Sequence, residues 1–266
     1  MKLGLRLGRV AALLLLCALA LQLYFLLRIA LMLIVDPQST TFQRSEAWRL
    51  LTEQHQIVWA QEWVPDERIA PSLKRAVIAS EDAGFTEHSG IEWDAIEGAW
   101  QRNQKAQARA DRQNERLARQ SHRQDKPGKA AKTAPAKPAR EAVAKVVGGS
   151  TISQQLAKNL FLSGERHVLR KAQEAVITYM LEGVLGKKRI LTIYLNSVEW
   201  GEGVFGAEAA AHHYFHVDAA RLSPAAAARL AVMLPAPKRF EKNPGSAYVS
   251  GRSAIIQGRM GAVDLP

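Results

Sequence analysis

The segment Gly148-Gly149-Ser150-Thr151-Ile152-Ser153-Gln154-Gln155-Leu156-Ala157-Lys158-Asn159 concentrates residue types that bind anions and sugars. Ser150 is a natural N-cap, and a helix is expected from there to about Leu162. On it Thr151, Gln155 and Lys158 stand at i, i+4 and i+7 and share one face, while Ile152, Leu156 and Leu160 share another. The polar face offers a hydroxyl, an amide and a cation beside a helix N-terminus whose free N–H groups favour anions. A phosphate or a sugar suits it, and so does plain solvent. Arg170, Lys171 and Glu174 form a second group, able to clasp an anion or simply to make a surface pair worth roughly 0.3–0.5 kcal/mol. Glu81-Asp82, with Phe85 and His88 close behind, is a third: a carboxylate pair beside an imidazole is a weak acid–base signal, and adjacent carboxylates are common on surfaces.

The elements that must position these groups read as helices. Ala70 to Ser80 is helix-like, with Leu73, Val77 and Ile78 along one side, so Glu81 falls at its end. Further helices are expected over about Leu169 to Leu185, Lys188 to Asn196 and Ala207 to Phe215. Ser223-Pro224 sets an N-cap and a first-turn proline for a helix to Leu234, and Tyr248 to about Val263 forms the last. Alternating strands are few, and no repeat is visible at a period of 20–50 residues.

The N-terminus has its own physics. Val10 to Leu27 is eighteen residues without a charge, and apolar character continues to Val35. That length spans a hydrocarbon core of about 30 Å. Lys2, Arg6 and Arg9 precede it, which places the N-terminus in the cytoplasm and the rest outside. Arg28 sits near the outer end, where its stem snorkels. Ala18-Leu19-Ala20 resembles a signal-peptide cleavage site, but the apolar run continues well beyond it, which suits an anchor better. Leu16 before Cys17 argues against a lipoprotein signal, and a single cysteine excludes an intrachain disulfide.

The net charge of +11 is local rather than general. Arg102 to Lys145 holds thirteen Lys or Arg against four Asp or Glu. Poor in large apolar residues, with Pro127 to Pro138 made mainly of Pro, Ala and Lys, it is expected to be disordered, or a solvated helix at its start. A flexible basic insertion and contact with anionic headgroups both fit. Nucleic acid does not, because the topology puts this segment on the wrong side of the membrane. The expected organisation is a basic tail over 1–9, an anchor over 10–35, a juxtamembrane segment over 36–67 and a catalytic domain over 68–266 interrupted at about 101–145.

Glu81-Asp82-x-x-Phe85-x-x-His88-x-Gly90, then Gly148 to Asn159, then Arg170-Lys171-x-x-Glu174, then Tyr194-Leu195-Asn196, occur in one order. Together they resemble the peptidoglycan glycosyltransferases in their monofunctional biosynthetic form, over roughly Arg68 to Ala262. Glu199 to Ala207 is similar to that branch as well. The resemblance implies a mainly α, lysozyme-like fold with a small membrane-proximal lobe. It implies lipid II and the growing glycan strand as substrates, at the outer face of the bacterial inner membrane, with other cell-wall synthesis or division proteins as further partners. It makes Glu81 the catalytic base and Glu174 a second important glutamate. Lys158, Arg170 and Lys171 then neutralise the leaving pyrophosphate, Thr151 and Gln155 add hydrogen bonds, and Asp82, Phe85 and His88 position the Glu81 loop. Gly148, Gly149, Ser150 and Asn196 become structural. No cofactor is demanded, although a divalent cation at the pyrophosphate is compatible with the chemistry. Because the chain stops at Pro266, no transpeptidase activity is expected. The long basic insertion departs from the family pattern.

Two signals are set aside. Gly201-x-Gly203-x-x-Gly206 matches a dinucleotide fingerprint by letter but lacks a βαβ unit and the later acidic residue. His212 and His216 are four apart, but no glutamate follows His212 as a zinc-hydrolase pattern requires. The rival activities are a lytic, lysozyme-like glycosidase, whose glutamate would act as an acid, and a non-enzymatic membrane scaffold.

Overall fold

Alanine- and leucine-rich stretches punctuated by proline and glycine produce a series of helices. The computed structural model describes residues 2–124, 148–162 and 168–266, and the chain divides into two units, Met1–Ile91 with Thr151–Pro266, and Glu92–Ser150. In chain order the helices are α1 (Lys2–Leu31), α2 (Thr41–Arg49), α3 (Pro71–Glu81), α4 (Trp93–Gln124), α5 (Ile152–Phe161), α6 (Val168–Ser197), α7 (Ala207–Phe215), α8 (Pro224–Met233), α9 (Pro237–Phe240) and α10 (Ala247–Arg259). Strands β1 (Ala60–Gln61), β2 (Glu199–Gly201) and β3 (Val204–Phe205) form a small sheet in the order β1-β3-β2, with β1 parallel and β2 antiparallel to β3.

In the first unit α3 begins on Pro71, where a missing N–H costs nothing. It buries Leu73, Ala76, Val77 and Ile78 against α8 and α10. Each of its larger apolar side chains contributes roughly 1.5–3 kcal/mol. This packing fixes the end of α3, and with it Glu81.

The cap of α5 falls one residue later than the sequence suggests. Thr151, not Ser150, is the N-cap: its hydroxyl accepts from Gln154 N at 3.1 Å, and the Gln154 side chain accepts from Thr151 N at 3.1 Å. Gln154 reaches back three residues to close this reciprocal box, which a cap at Ser150 would forgo. Helix α6 is two rods in one, broken at Gly186 (φ 70°, ψ 163°), close to the division expected between Leu185 and Lys188. Ser153 donates to Glu182, while Phe161 packs on Phe25, one turn from Gln22, which bonds Gln173. The start of α5 therefore lies beside the middle of α6 and its end beside the α6 start, so the two run antiparallel.

The glycine run after α6 forms the β2–β3 turn. A Cβ on Gly203 (φ +72°) would lie 2.0 Å from the Val58 carbonyl oxygen, so only glycine fits there. The letters of a dinucleotide fingerprint thus serve a tight hairpin.

Helix α1 contains one stretch long and apolar enough to cross a membrane, Gly8–Leu31, which has a mean hydropathy of 2.6 and is almost entirely exposed. Its C-terminal end is docked: Phe25, Ile29 and Met32 are buried, and Gln22 and Gln173 exchange amide hydrogen bonds of 2.9 and 3.0 Å. Arg189 donates to Met32 O at 2.8 Å and pairs with Asp36 at 2.8 Å.

The second unit is dominated by α4. A Cβ on Gly149 would meet Ala95 O at 2.9 Å and Ala99 Cβ at 3.0 Å, so its lack of a side chain permits close approach to the first turns of α4. The basic segment, expected to be disordered or a solvated helix at its start, is helical at its start and through Gln124. Gln, Ala, Lys and Arg are strong helix formers, and the bonds Gln101 to Glu97 and Gln107 to Asp111 add support at i, i+4. The remainder of that expectation, residues 125–145, lies outside the described residues.

Candidate active site

Three elements of the first unit converge on Glu81. The carboxylate ends α3, half-buried, and accepts a hydrogen bond from Gln155 Nε2 at 3.0 Å on Oε2. Gln155 is itself oriented: its Oε1 accepts from the hydroxyl of Tyr194, a fully buried side chain on α6, at 3.0 Å. An ionised carboxylate only accepts, so the amide nitrogen faces Glu81 and the amide oxygen takes the phenol proton. Glu81 Oε1 meets the Ser80 hydroxyl at a long 3.5 Å. Burial raises the Glu81 carboxyl above its ordinary range, the bonds from Gln155 and Ser80 oppose the shift, and the Asp82 charge adds to it. Burial and the charges of Glu81 and Asp82 hold the Tyr194 hydroxyl well above its ordinary value, so it stays a donor.

Asp82 is buried and organises the loop that follows. Its Oδ2 accepts from Ile152 N at 2.9 Å, placing a carboxylate on the N-terminus of α5. Its Oδ1 lies 2.8 Å from His88 Nε2, and His88 Nδ1 accepts from Gly90 N at 3.0 Å. That last bond makes Nε2 the donor to Asp82. Thr151 donates to Gly90 O at 2.5 Å. Gly90 (φ +94°) presses on α6, where an added Cβ would come within 2.8 Å of Glu182 and Thr178 side-chain carbons. Phe85 is buried with Lys187 Nζ 4.5 Å above its ring. Asp82, Phe85 and His88 thus tie the Glu81 loop to α5 and α6.

The expected face of Thr151, Gln155 and Lys158 is divided. The Thr151 hydroxyl accepts the cap bond and donates to Gly90, with 3% of the residue exposed. Gln155 donates to Glu81 from its amide nitrogen. Lys158 is exposed one turn further along α5. At the start of α6, Glu174 is buried and bound by Lys171 and, at 3.1 Å, by Arg170. Its position orients two cations, and Lys171 remains exposed. Counting from the Ser153–Glu182 contact, Gln155 lies level with Met180, and Glu174 is about 9 Å further along α6.

Asn196 is buried, its amide accepting from Val64 N at 2.9 Å and donating to Val64 O at 3.0 Å, as a neighbouring strand would. His212 and His216 do not converge. His216 is the left-handed C-cap of α7, while His212 Nε2 lies 3.3 Å from Glu208 and 3.6 Å from Asp218.

The family model described as Transglycosylase matches residues 50–113 and 130–261. The chain is 46% identical to the "Biosynthetic peptidoglycan transglycosylase" of Paraburkholderia xenovorans, over 93% of this chain and 88% of that one. It is 48% identical to the protein of the same name from Burkholderia pseudomallei, over 93% of this chain and 83% of that one. This chain belongs to the transglycosylase family. The stretch 114–129 that the family model skips lies inside the basic segment, and the model matches that segment on either side of it.

Within this transglycosylase chain, Tyr194 is the site residue that spacing did not single out. It stands in the quoted Tyr-Leu-Asn block, but a tyrosine in an apolar helix reads as core until the fold brings it to Gln155.

Proposed function

We propose that this chain is a membrane-anchored peptidoglycan glycosyltransferase that elongates a lipid-linked glycan by inverting transfer onto lipid II. The observation that carries the chemistry is the Tyr194–Gln155–Glu81 relay, which orients a half-buried carboxylate of raised proton affinity at the end of α3. A base works best when its proton affinity approaches neutrality. Glu81 takes the proton from the 4-hydroxyl of the acceptor GlcNAc as that oxygen bonds to C1 of the donor MurNAc. The bond from C1 to the pyrophosphate oxygen breaks, C1 inverts, and undecaprenyl pyrophosphate leaves with the electron pair. Lys158, Arg170 and Lys171 meet that growing negative charge, with Glu174 holding the latter two in place. The offset of about 9 Å between the levels of Gln155 and Glu174 leaves room for a sugar with its phosphate. Should a divalent ion take part, the pyrophosphate oxygens are its natural ligands, because Glu174 is already engaged by two cations.

The anchor supports this reading. The Gln22–Gln173 bonds lie nine residues before the end of α1, about 13.5 Å along its axis. They tie the anchor helix to the start of α6, which also carries Arg170 and Lys171. With Lys2, Arg6 and Arg9 in the cytoplasm, the catalytic unit faces the periplasm.

The test is incubation of the full chain, in detergent or discs, with lipid II. Glycan polymer and released undecaprenyl pyrophosphate are the expected products. Cleavage of added glycan strands without polymerisation would replace the synthase with a lytic glycosidase, and no turnover of either would leave a scaffold.

A further inference from the structure

Helix α4 carries an arrangement that the transfer reaction does not use. Arg102, Lys105, Arg109, Arg112 and Arg116 recur at steps of three, four, three and four residues, and all five are exposed. At 3.6 residues per turn they fall within an arc of about 80° and run about 21 Å along the axis. Ala99 and Ala110 are buried and belong to a different face. The exposed Trp93 and Trp100, together with Asp111, lie on the side turned away from the basic stripe.

We propose that this stripe adsorbs the second unit onto an anionic phospholipid surface. A straight row of positive charges matches a plane of negative headgroups. The stripe has no large apolar side chain, so the contact is electrostatic adsorption rather than insertion. A protein partner would call for aromatic or apolar anchors at its centre, and here the tryptophans point elsewhere. The apolar helix Gly8–Leu31 on the same polypeptide keeps the local concentration of bilayer high, so a modest attraction suffices. Each charge near such a surface strengthens adsorption roughly fivefold. The inference rests on the anchor reading and not on the transfer chemistry.

The experiment uses the full chain with Cys17→Ser and Ala108→Cys, labelled beside the stripe and reconstituted in discs whose headgroups carry a quencher. Strong quenching is expected in discs containing anionic lipid, weak quenching in zwitterionic discs, and loss of the difference at high salt. Replacing the five basic residues by glutamine keeps helix propensity, verifiable by circular dichroism, and should abolish the difference. Each single replacement should weaken it several-fold. Quenching that ignores lipid charge or salt, or survives in the glutamine variant, would overturn the proposal. So would protection of the label by a soluble anionic polymer but not by anionic lipid. Failure of the chain to co-elute with zwitterionic discs would refute the anchor instead, and salt-sensitive capture by anionic discs would then still support the stripe. The quenching readout is independent of whether lipid II is polymerised.

Discussion

Replacing Glu81 with glutamine should abolish activity and make the protein more stable. The substitution is nearly isosteric, and its amide oxygen still accepts the 3.0 Å bond from Gln155 Nε2. What it removes is a half-buried negative charge beside Asp82. Burial is the largest influence on Glu81 and lifts its carboxyl above the ordinary 4.5. In the window above that ordinary value the folded protein binds more protons than the unfolded chain, so wild-type stability falls as pH rises through the raised value. Glutamine does not titrate, so its advantage should be smallest in acid and grow toward neutral pH. Loss of a general base costs about 10²–10⁴ in rate, or about 2.7–5.5 kcal/mol of transition-state stabilisation. Two assays on the same preparation test the pair of effects: lipid II polymerisation, and thermal melting across a pH series. A variant that stays active would remove Glu81 from the chemistry. A variant that melts well below wild type at neutral pH would show that the carboxylate stabilises the fold, contrary to this account.

Tyr194→Phe deletes the donor that orients Gln155; a stability loss of about 0.5–1.5 kcal/mol is expected. The acid limb of the polymerisation pH profile should also move to higher pH, because a wandering amide no longer lowers the Glu81 carboxyl; an unmoved limb would deny the relay. Arg170→Ala should depress turnover by about tenfold or more and, by leaving buried Glu174 less compensated, should also lower the melting temperature. Lys158→Ala, on an exposed side chain, should depress turnover with little change in melting; equal melting losses in the two variants would contradict the distinction. Burial pushes Glu199 up to about 7 against the opposing charge of Lys238. Wild-type stability should therefore decline between about pH 4.5 and 7, and Glu199→Gln should flatten that decline in a melting series.

Much of the site could be read from residue types in order. The end of α3, the break between the two rods of α6 and the proline-initiated α8 carry local signals, because caps, proline and hydrophobic period act within a few residues. The misplaced cap shows the limit of that reading: Ser150 and Thr151 are both competent, and the choice depended on which one Gln154 could reach. Low apolar content leaves disorder and a solvated helix both open for the start of the basic segment, and the helix formers Gln, Ala, Lys and Arg favour the second.

By itself the sequence determined the inventory: an apolar N-terminal stretch, a glutamate at a helix end, cations on two later helices and the sequence blocks that mark the family. Tertiary structure alone decided which polar atoms meet. Gln155 donates to Glu81, Thr151 braces Gly90, Tyr194 sets that amide from within the core, and Gln22 ties the anchor to the helix bearing the cations. Hydrogen bonds require groups within about 3 Å and properly aligned. For partners 39 to 151 residues apart, only the packing of the helices supplies that proximity.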